Sequence, residues 1–296
     1  MFKQLIRPLS IPASFAIGFL LPVLGEFSWA VRYILMVMLY FVFLQLEIKE
    51  LVPKRSHFVL LLFNLILPVV FWAVFYYSGN RELAEAAFFT AVTPTATAAP
   101  VIIKFLGGQV SYVVNAFVIS TAGVAVLLPV MLPLMITGEV KIIGFVKVIL
   151  NLLILVGIPW GSAALTRRIY PASLQWPKKA GNFSFGLWVV LLCIVSANAI
   201  NFIRNQNSVR ADIFLMIAAI TFLICVMNFV FGYLAGEKEL RREASQSSGQ
   251  KNTSFTIVLA TMFGTSPLAA IGPTFYLVWH NLWNAFQLFM HDRKKL

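Results

Sequence analysis

Residues 83–106 read LAEAAFFTAVTPTATAAPVIIKFL, a stretch that is apolar enough to lie in a membrane. The segment TPTATAAP interrupts it at residues 93–100. Residues 244–263 read ASQSSGQKNTSFTIVLATMF, in which a polar run precedes an apolar second half. Prolines and hydrogen-bonding side chains of this kind break a regular helix. A backbone without helical hydrogen bonds cannot face lipid, so each interruption must be buried in protein or line a water-filled cavity.

The composition around these two stretches is that of a membrane protein, with lipid as its surroundings. The 296-residue chain is 60% hydrophobic and 11% charged, with a mean hydropathy of +0.86. A soluble domain carries about 25% charged residues. The net charge of +12 does not indicate a nucleic-acid partner, because the basic residues sit between apolar stretches, where topology signals lie. The sequence has no Walker loop and no metal-binding cluster, so neither an enzyme nor a cofactor is predicted.

Eight more apolar stretches are candidate spanning helices, for which about 20 residues are needed. They are residues 11–24, 29–45, 58–77, 110–136, 142–165, 183–203, 213–235 and 268–290, of which the first is the weakest. Ten crossings place sixteen lysines and arginines on the side of both termini and six on the other side. The positive-inside rule then predicts that both termini are cytoplasmic. The expected location of this multi-pass protein is the bacterial inner (plasma) membrane.

The two interrupted stretches are the fourth and the ninth of the ten predicted spans, and each is followed by one long span. The chain therefore divides into two five-helix repeats, residues 1–137 and residues 138–296. An odd number of spans gives the two repeats opposite orientations. Matched interruptions in inverted repeats are the best sequence indication of a transporter's substrate site. The alternatives are two kinked structural helices, or loops at the membrane surface.

Five short motifs carry a resemblance to a known family. They are TPTATAAP at residues 93–100, LGGQ at 106–109, GQKNTS at 249–254, SPLAAIGP at 266–273 and VWHN at 278–281. Together these motifs resemble the bile acid:sodium symporter family. The resemblance implies a panel of spans one, two, six and seven, and a core of the other six, in which discontinuous helices four and nine cross at mid-membrane. It also implies transport of a small organic anion by alternating access, from a site beside the crossing.

The positions at which the resemblance places sodium ligands hold few oxygen-bearing side chains in this sequence. Those positions are held by Ser247, Lys251, Ala99, Pro100, Val113 and Phe117, with Asn64 near the position of a third-span amide. Sodium needs several oxygen ligands, ideally with a carboxylate among them. The usual sodium sites are therefore predicted to be absent.

Lys251 is the most informative of these positions, because an ionisable residue within a membrane is a functional candidate by default. The resemblance places Lys251 at the position of a cation ligand, near the point where helices four and nine cross. Its ammonium is predicted to substitute for bound sodium, to hold the two interruptions together through the free carbonyls of the fourth span, and to attract the anion. A lysine in such a place can also carry protons. The alternative is an ordinary interfacial lysine.

Hydrogen-bonding side chains near the interruptions are the predicted substrate-binding groups. They are Thr95, Thr97, Asn252, Thr253 and Ser254, of which the resemblance places Thr97, Asn252 and Ser254 at the substrate. His280 and Asn281 lie in the middle of the tenth span and are interpreted as a polar pair that lines the cavity. The alternatives are that the first group only caps the half-helices and that His280 is a packed structural histidine.

The predicted function is sodium-independent transport of a small organic anion by uniport, exchange or proton coupling. Two other classes stay open, a channel and a non-transporting receptor or scaffold of the same fold. The sequence leaves the substrate, the transport direction and the oligomeric state open.

Overall fold

The computed structural model describes residues 2–45, 51–136, 142–204 and 211–293. Within these ranges the secondary structure is helical, apart from one isolated β-bridge. Numbered in chain order, the α-helices are α1 (Phe2–Leu20), α2 (Ser28–Phe43), α3 (Arg55–Tyr77), α4 (Arg81–Ala91), α5 (Ala99–Phe105), α6 (Val110–Met135), α7 (Ile142–Ile169), α8 (Trp176–Lys179), α9 (Gly181–Arg204), α10 (Ala211–Ala235), α11 (Arg241–Gly249), α12 (Thr253–Phe263) and α13 (Leu268–Arg293).

Several of the helices are long and apolar enough to cross a membrane. In the described ranges there are five such segments, Pro22–Phe43, Arg55–Tyr77, Val110–Met135, Gly181–Arg204 and Ala211–Ala235. Large apolar side chains on these helices are exposed, among them Leu62, Val126 and Leu215. Soluble proteins rarely expose apolar surface on this scale. The chain is therefore an all-α integral membrane protein, as its composition predicts.

Helical hydrogen bonding stops in both stretches that were predicted to be interrupted. The first break separates α4, which ends at Ala91, from α5, which begins at Ala99. Pro94 lies within this break, and Pro100 occupies the first turn of α5, where a missing N–H breaks no helical hydrogen bond. The second break covers only residues 250–252, between α11 and α12, and is narrower than the polar run that predicted it.

Local packing fixes the second break on both sides. Before it, Gly249 lies so close to the Phe229 ring that a Cβ there would come within 2.3 Å of a ring carbon. After it, the Asn252 side chain accepts a hydrogen bond from the Phe255 N–H (3.3 Å) and caps α12. α11 therefore ends at a position that accommodates only glycine without repacking, and α12 begins at a polar N-cap.

The first helix differs from the short span that was predicted at residues 11–24. α1 runs over Phe2–Leu20, and a 3-10 turn over Pro22–Phe27 leads directly into α2. The helix stops there because the residue before a proline is disfavoured in the α conformation, and Leu21 has φ −119° and ψ 70°. The predicted boundaries were therefore wrong at both ends of this helix.

Helix packing creates one apolar cluster that matters for the site. α2 packs on α7 and α9, and α5 packs on α2 and α6. Between α2 and α9 on one side and α5 and α13 on the other lies a cluster of buried side chains, here called the apolar seal. Its members include Phe43, Ile102, Phe105, Trp188 and Leu288. The ring centroids of Phe105 and Trp188 are 5.9 Å apart, so the two sides are in direct contact at this level.

Candidate functional site

The two helix breaks meet each other. Thr95 and Lys251 form an isolated antiparallel β-bridge. The Ala96 N–H donates to the Gln250 carbonyl (2.8 Å), and the Asn252 N–H donates to the Pro94 carbonyl (2.9 Å). Backbone groups released from the helices are thus paired across the crossing, which removes the cost of burying them unsatisfied.

Side-chain hydrogen bonds tie the same region together. The Thr95 hydroxyl donates to the Ser247 carbonyl (2.7 Å), and the Tyr276 hydroxyl donates to the Gly249 carbonyl (2.9 Å). The hydroxyls of Thr93 and Thr256 lie 2.9 Å apart. Each of these contacts joins residues that are far apart in the sequence, so side chains from several helices stabilise the crossing.

The side chain of Lys251 is enclosed by protein, with only 3% of the residue exposed. Its Nζ donates a hydrogen bond to Oδ1 of Asn64 in α3. The space around this contact is a small polar pocket, whose hydrogen-bonding members include His57, Thr95, Ser120, Ser247 and Ser248. No carboxylate lines this pocket in the described part of the chain. An interfacial lysine would be exposed at a helix end, and Lys251 does not occupy such a position.

One part of the prediction for Lys251 was wrong. The ammonium was expected to join the two breaks through the free carbonyls of the fourth span. Instead the backbone of Lys251 pairs with Thr95, while the ammonium reaches away to Asn64 in α3. The carbonyls of Pro94, Ala96 and Ala98 in the first break already accept from backbone N–H groups, and the ammonium finds its acceptor elsewhere.

A cavity of about 550 Å³ lies beside the crossing. It is bounded by α2, α7, α9, α12 and α13, and by Thr97 of the first break. Thr97, Asn252 and Ser254 line it, and most of the remaining wall is apolar, with Val31, Leu155 and Phe255 among its members. A cavity of this size, mostly apolar with a few polar groups, is the usual form of a small-molecule site.

A smaller cavity of about 70 Å³ adjoins the larger one and shares part of its wall. Thr253, His280 and Asn281 line this smaller cavity and not the larger one. The Asn281 Nδ2 donates to the carbonyl of Leu277 in its own helix (2.8 Å), while Nδ1 of His280 is buried without a hydrogen-bond partner among the described residues. The structure therefore brings six of the seven predicted substrate ligands to two connected cavities.

Thr95 is the member of the predicted set that the structure separates from the others. It lines the small polar pocket of Lys251, on the side of α3 and α6, and neither of the two connected cavities. Its hydroxyl is engaged with the Ser247 carbonyl, and its N–H with the Ser120 hydroxyl (3.1 Å). Its position fits a role in holding the crossing.

Arg32 and Asn198 line the larger cavity but were not among the predicted site residues. Arg32 lies in α2 and Asn198 in α9. In the sequence Arg32 served only as a topology signal, although an arginine inside a predicted span is itself a reason to expect a site. Asn198 carried no signal, because one asparagine in a long apolar helix is not distinctive.

No protein-family model matches the chain, and no curated protein matches its sequence. What can be said of its function therefore follows from the crossing, the cavities and the groups that line them.

Proposed function

We propose that this chain is a secondary transporter of a small organic anion, which it moves by alternating access without sodium. The observation that carries the proposal is the pairing of two broken helices at Thr95 and Lys251, directly beside a cavity of about 550 Å³. In many secondary transporters the substrate binds where discontinuous helices meet near the middle of the membrane. In this proposal the chain is a divergent relative of the bile acid:sodium symporter family.

Two symmetric contacts support the proposed architecture of ten crossings in two inverted repeats, residues 1–137 and 138–296. Glu85 in α4 accepts a hydrogen bond from the Thr265 N–H (2.8 Å), just before α13. Glu243 in α11 accepts one from the Gln109 N–H (2.9 Å), just before α6. Exchanging the two repeats converts one contact into the other. The same exchange relates the packing of α1 on α9 to that of α2 on α7.

The position of the larger cavity supports alternating access. We define the panel as α1, α2, α7 and α9, and the core as α3 to α6 with α10 to α13. The cavity and the apolar seal both lie between panel and core, the cavity toward the start of α2 and the seal toward its end. One end of the interface is thus open and the other closed. With both termini cytoplasmic, the open end faces outward, and rocking the panel against the core would reverse the two ends.

The polar pocket around Lys251 supports a mechanism without sodium. Ala99, Pro100, Val113 and Phe117 have no side-chain oxygen to offer a cation. Lys251 places a fixed positive charge in the same region and anchors it on α3. In this proposal the ammonium takes over one role of bound sodium, favouring an anion beside the crossing, while its hydrogen bond to Asn64 anchors the second break on α3.

Flux into proteoliposomes tests the proposal. A thermal-shift screen of the purified protein against organic anions selects the probe, whose labelled form is then used for uptake. We expect saturable uptake that is unchanged when choline replaces sodium at constant ionic strength. A loss of about tenfold in choline would mean that other groups have rebuilt a sodium site. Fast, non-saturating flux would identify a channel instead, and binding without flux would identify a receptor or scaffold.

A further inference from the structure

We propose that Arg32 in α2 binds the charged group of the transported anion, and that the substrate is a compact monoanion with an apolar body and a neutral hydrogen-bonding group. This inference rests on the proposed function and adds to it a substrate class and the residue that selects it. It is carried by the chemistry of the cavity wall and by the state of the arginine itself.

Among the described residues that line the larger cavity, Arg32 is the only ionisable one. The other polar members are neutral, and they are Ser28, Thr97, Asn198, Asn252, Ser254 and Thr274. A cavity with low-dielectric walls and one sign of charge concentrates ions of the opposite sign. A guanidinium also offers two parallel hydrogen bonds to a carboxylate, which fixes the orientation of the bound group.

The guanidinium of Arg32 is not used to hold the fold. In the part of the chain that the structure describes, it has no hydrogen bond, ion pair or ring contact. Arg204, an arginine in the panel helix α9, lies over the Phe19 ring at 5.3 Å, and Arg81 lies over the Tyr76 ring at 5.4 Å. No described residue therefore uses the hydrogen-bonding capacity of Arg32, which can serve a group that enters the cavity.

A single positive group predicts a single negative charge on the substrate. Lys251 lines the smaller cavity but not the larger one, and its ammonium already donates a hydrogen bond to Asn64, so we assign the anionic group to Arg32 alone. A dicarboxylate or a phosphate ester would bury a second charge without a partner, which is strongly unfavourable. The cavity wall at the crossing offers neutral hydrogen-bonding groups from Thr97, Asn252 and Ser254. The apolar part of the wall accommodates a hydrocarbon body.

The competing explanation is that Arg32 only extends toward lipid headgroups, as long basic side chains near helix ends often do. Arg204 provides a matched control for that role. Both arginines are exposed, but Arg204 lies at the end of α9 and does not line the cavity. A general effect of surface charge on anion binding would be seen in both arginines, whereas a binding site would distinguish them.

Four aromatic probes of similar size test the inference by thermal shift on the purified, full-length protein. Mandelate carries one carboxylate and one hydroxyl, phenylacetate lacks the hydroxyl, mandelamide lacks the charge, and phenylmalonate carries a second charge. Wild-type protein should bind mandelate most tightly, with phenylacetate about fivefold weaker, mandelamide about 30-fold weaker and phenylmalonate weaker than phenylacetate. The ligand-free melting temperature of each variant shows whether it has folded.

Arg32→Gln should weaken mandelate binding about 30-fold and leave mandelamide binding unchanged. Arg32→Lys should restore part of the lost affinity, and Arg204→Gln should behave as wild type. The role of Arg32 would be overturned if Arg32→Gln kept its mandelate affinity within about threefold of wild type, or if Arg204→Gln lost as much affinity as Arg32→Gln. The proposed transport function would stand in both cases. Phenylmalonate as the tightest probe would overturn the monoanion class. If none of the four probes binds but a different anion shows saturable flux, this substrate class is rejected and the transport function is not.

Discussion

Replacing Asn64 by leucine should reveal how strongly the buried ammonium of Lys251 depends on one hydrogen bond. Both residues are nearly inaccessible, and Oδ1 of Asn64 is the acceptor that the structure gives to Nζ. Leucine has the same number and branching of side-chain heavy atoms as asparagine but is bulkier, so the change removes the acceptor without opening a cavity, and the matched control below carries the same added bulk. The ammonium then loses its acceptor, and no carboxylate among the described residues of its pocket can replace it.

The expected cost of Asn64→Leu is about 3 kcal/mol or more, because a buried charge loses its hydrogen bond and becomes uncompensated. Lys251→Met removes the charge and leaves the amide oxygen of Asn64 unsatisfied, which costs about 1–3 kcal/mol. Part of this cost is offset, because the variant no longer buries a charge. The double variant has neither the charge nor the orphaned acceptor. It should therefore be more stable than Asn64→Leu alone by about 2 kcal/mol.

The assay is the free energy of unfolding in mixed detergent micelles, measured for wild type, both single variants and the double variant. Asn115→Leu is the matched control, since Asn115 is a buried asparagine whose Nδ2 donates to a neutral backbone carbonyl, that of Val52 (3.3 Å). Its loss should cost only about 1 kcal/mol, and Lys251→Met should not rescue it. An Asn64→Leu variant that costs no more than the control, or a double variant with simply additive effects, would refute the reasoning.

Two further variants test the crossing and its supports. Gly249→Ala should destabilise the protein by about 1–3 kcal/mol, because its Cβ meets the Phe229 ring, and Phe229→Leu should recover part of the loss in thermal unfolding. No loss would show that the Phe229 ring moves aside, and a loss without recovery would show that the cost does not come from that ring. Glu85→Gln should cost about 2 kcal/mol by weakening the hydrogen bonds from the Thr265 N–H and hydroxyl, and Glu243→Gln should cost a similar amount if the two contacts are related by symmetry. Clearly unequal costs in the same unfolding measurement would argue against equivalent roles.

The broken helices could be predicted from sequence because their causes are local. Pro94 and Pro100 interrupt an apolar stretch, and Gly249 precedes a polar triplet. The extent of the second break was less predictable. Ser245 and Ser247 stay within α11, because their hydroxyls donate to the backbone carbonyls of Phe229 (2.8 Å) and Glu243 (2.8 Å). Hydroxyl groups satisfied in this way do not need to leave the helix.

The partners of the charged groups could not be predicted, because they depend on how distant helices pack. Asn64 is far from Lys251 in sequence, and nothing in either segment specifies that α3 will bring the amide to the ammonium. The same holds for Arg32, which meets Thr97 across a cavity only after α2 and the crossing are in place. Residue type marked these positions as unusual for a membrane, but their contacts belong to the tertiary structure.

If the chain is a transporter as proposed, the placement of polar groups in the cavity would couple substrate binding to movement. The core is tied together by the backbone pair at the crossing and by Glu85 and Glu243, so we infer that it moves as one body. Arg32 belongs to the panel, whereas Thr97 and Asn252 belong to the core. An anion held by both groups binds differently in each arrangement of the two bodies, because the separation of its partners changes. A ligand shifts a conformational equilibrium only through such a difference in affinity. A cavity shared between panel and core therefore provides the differential contact that alternating access requires.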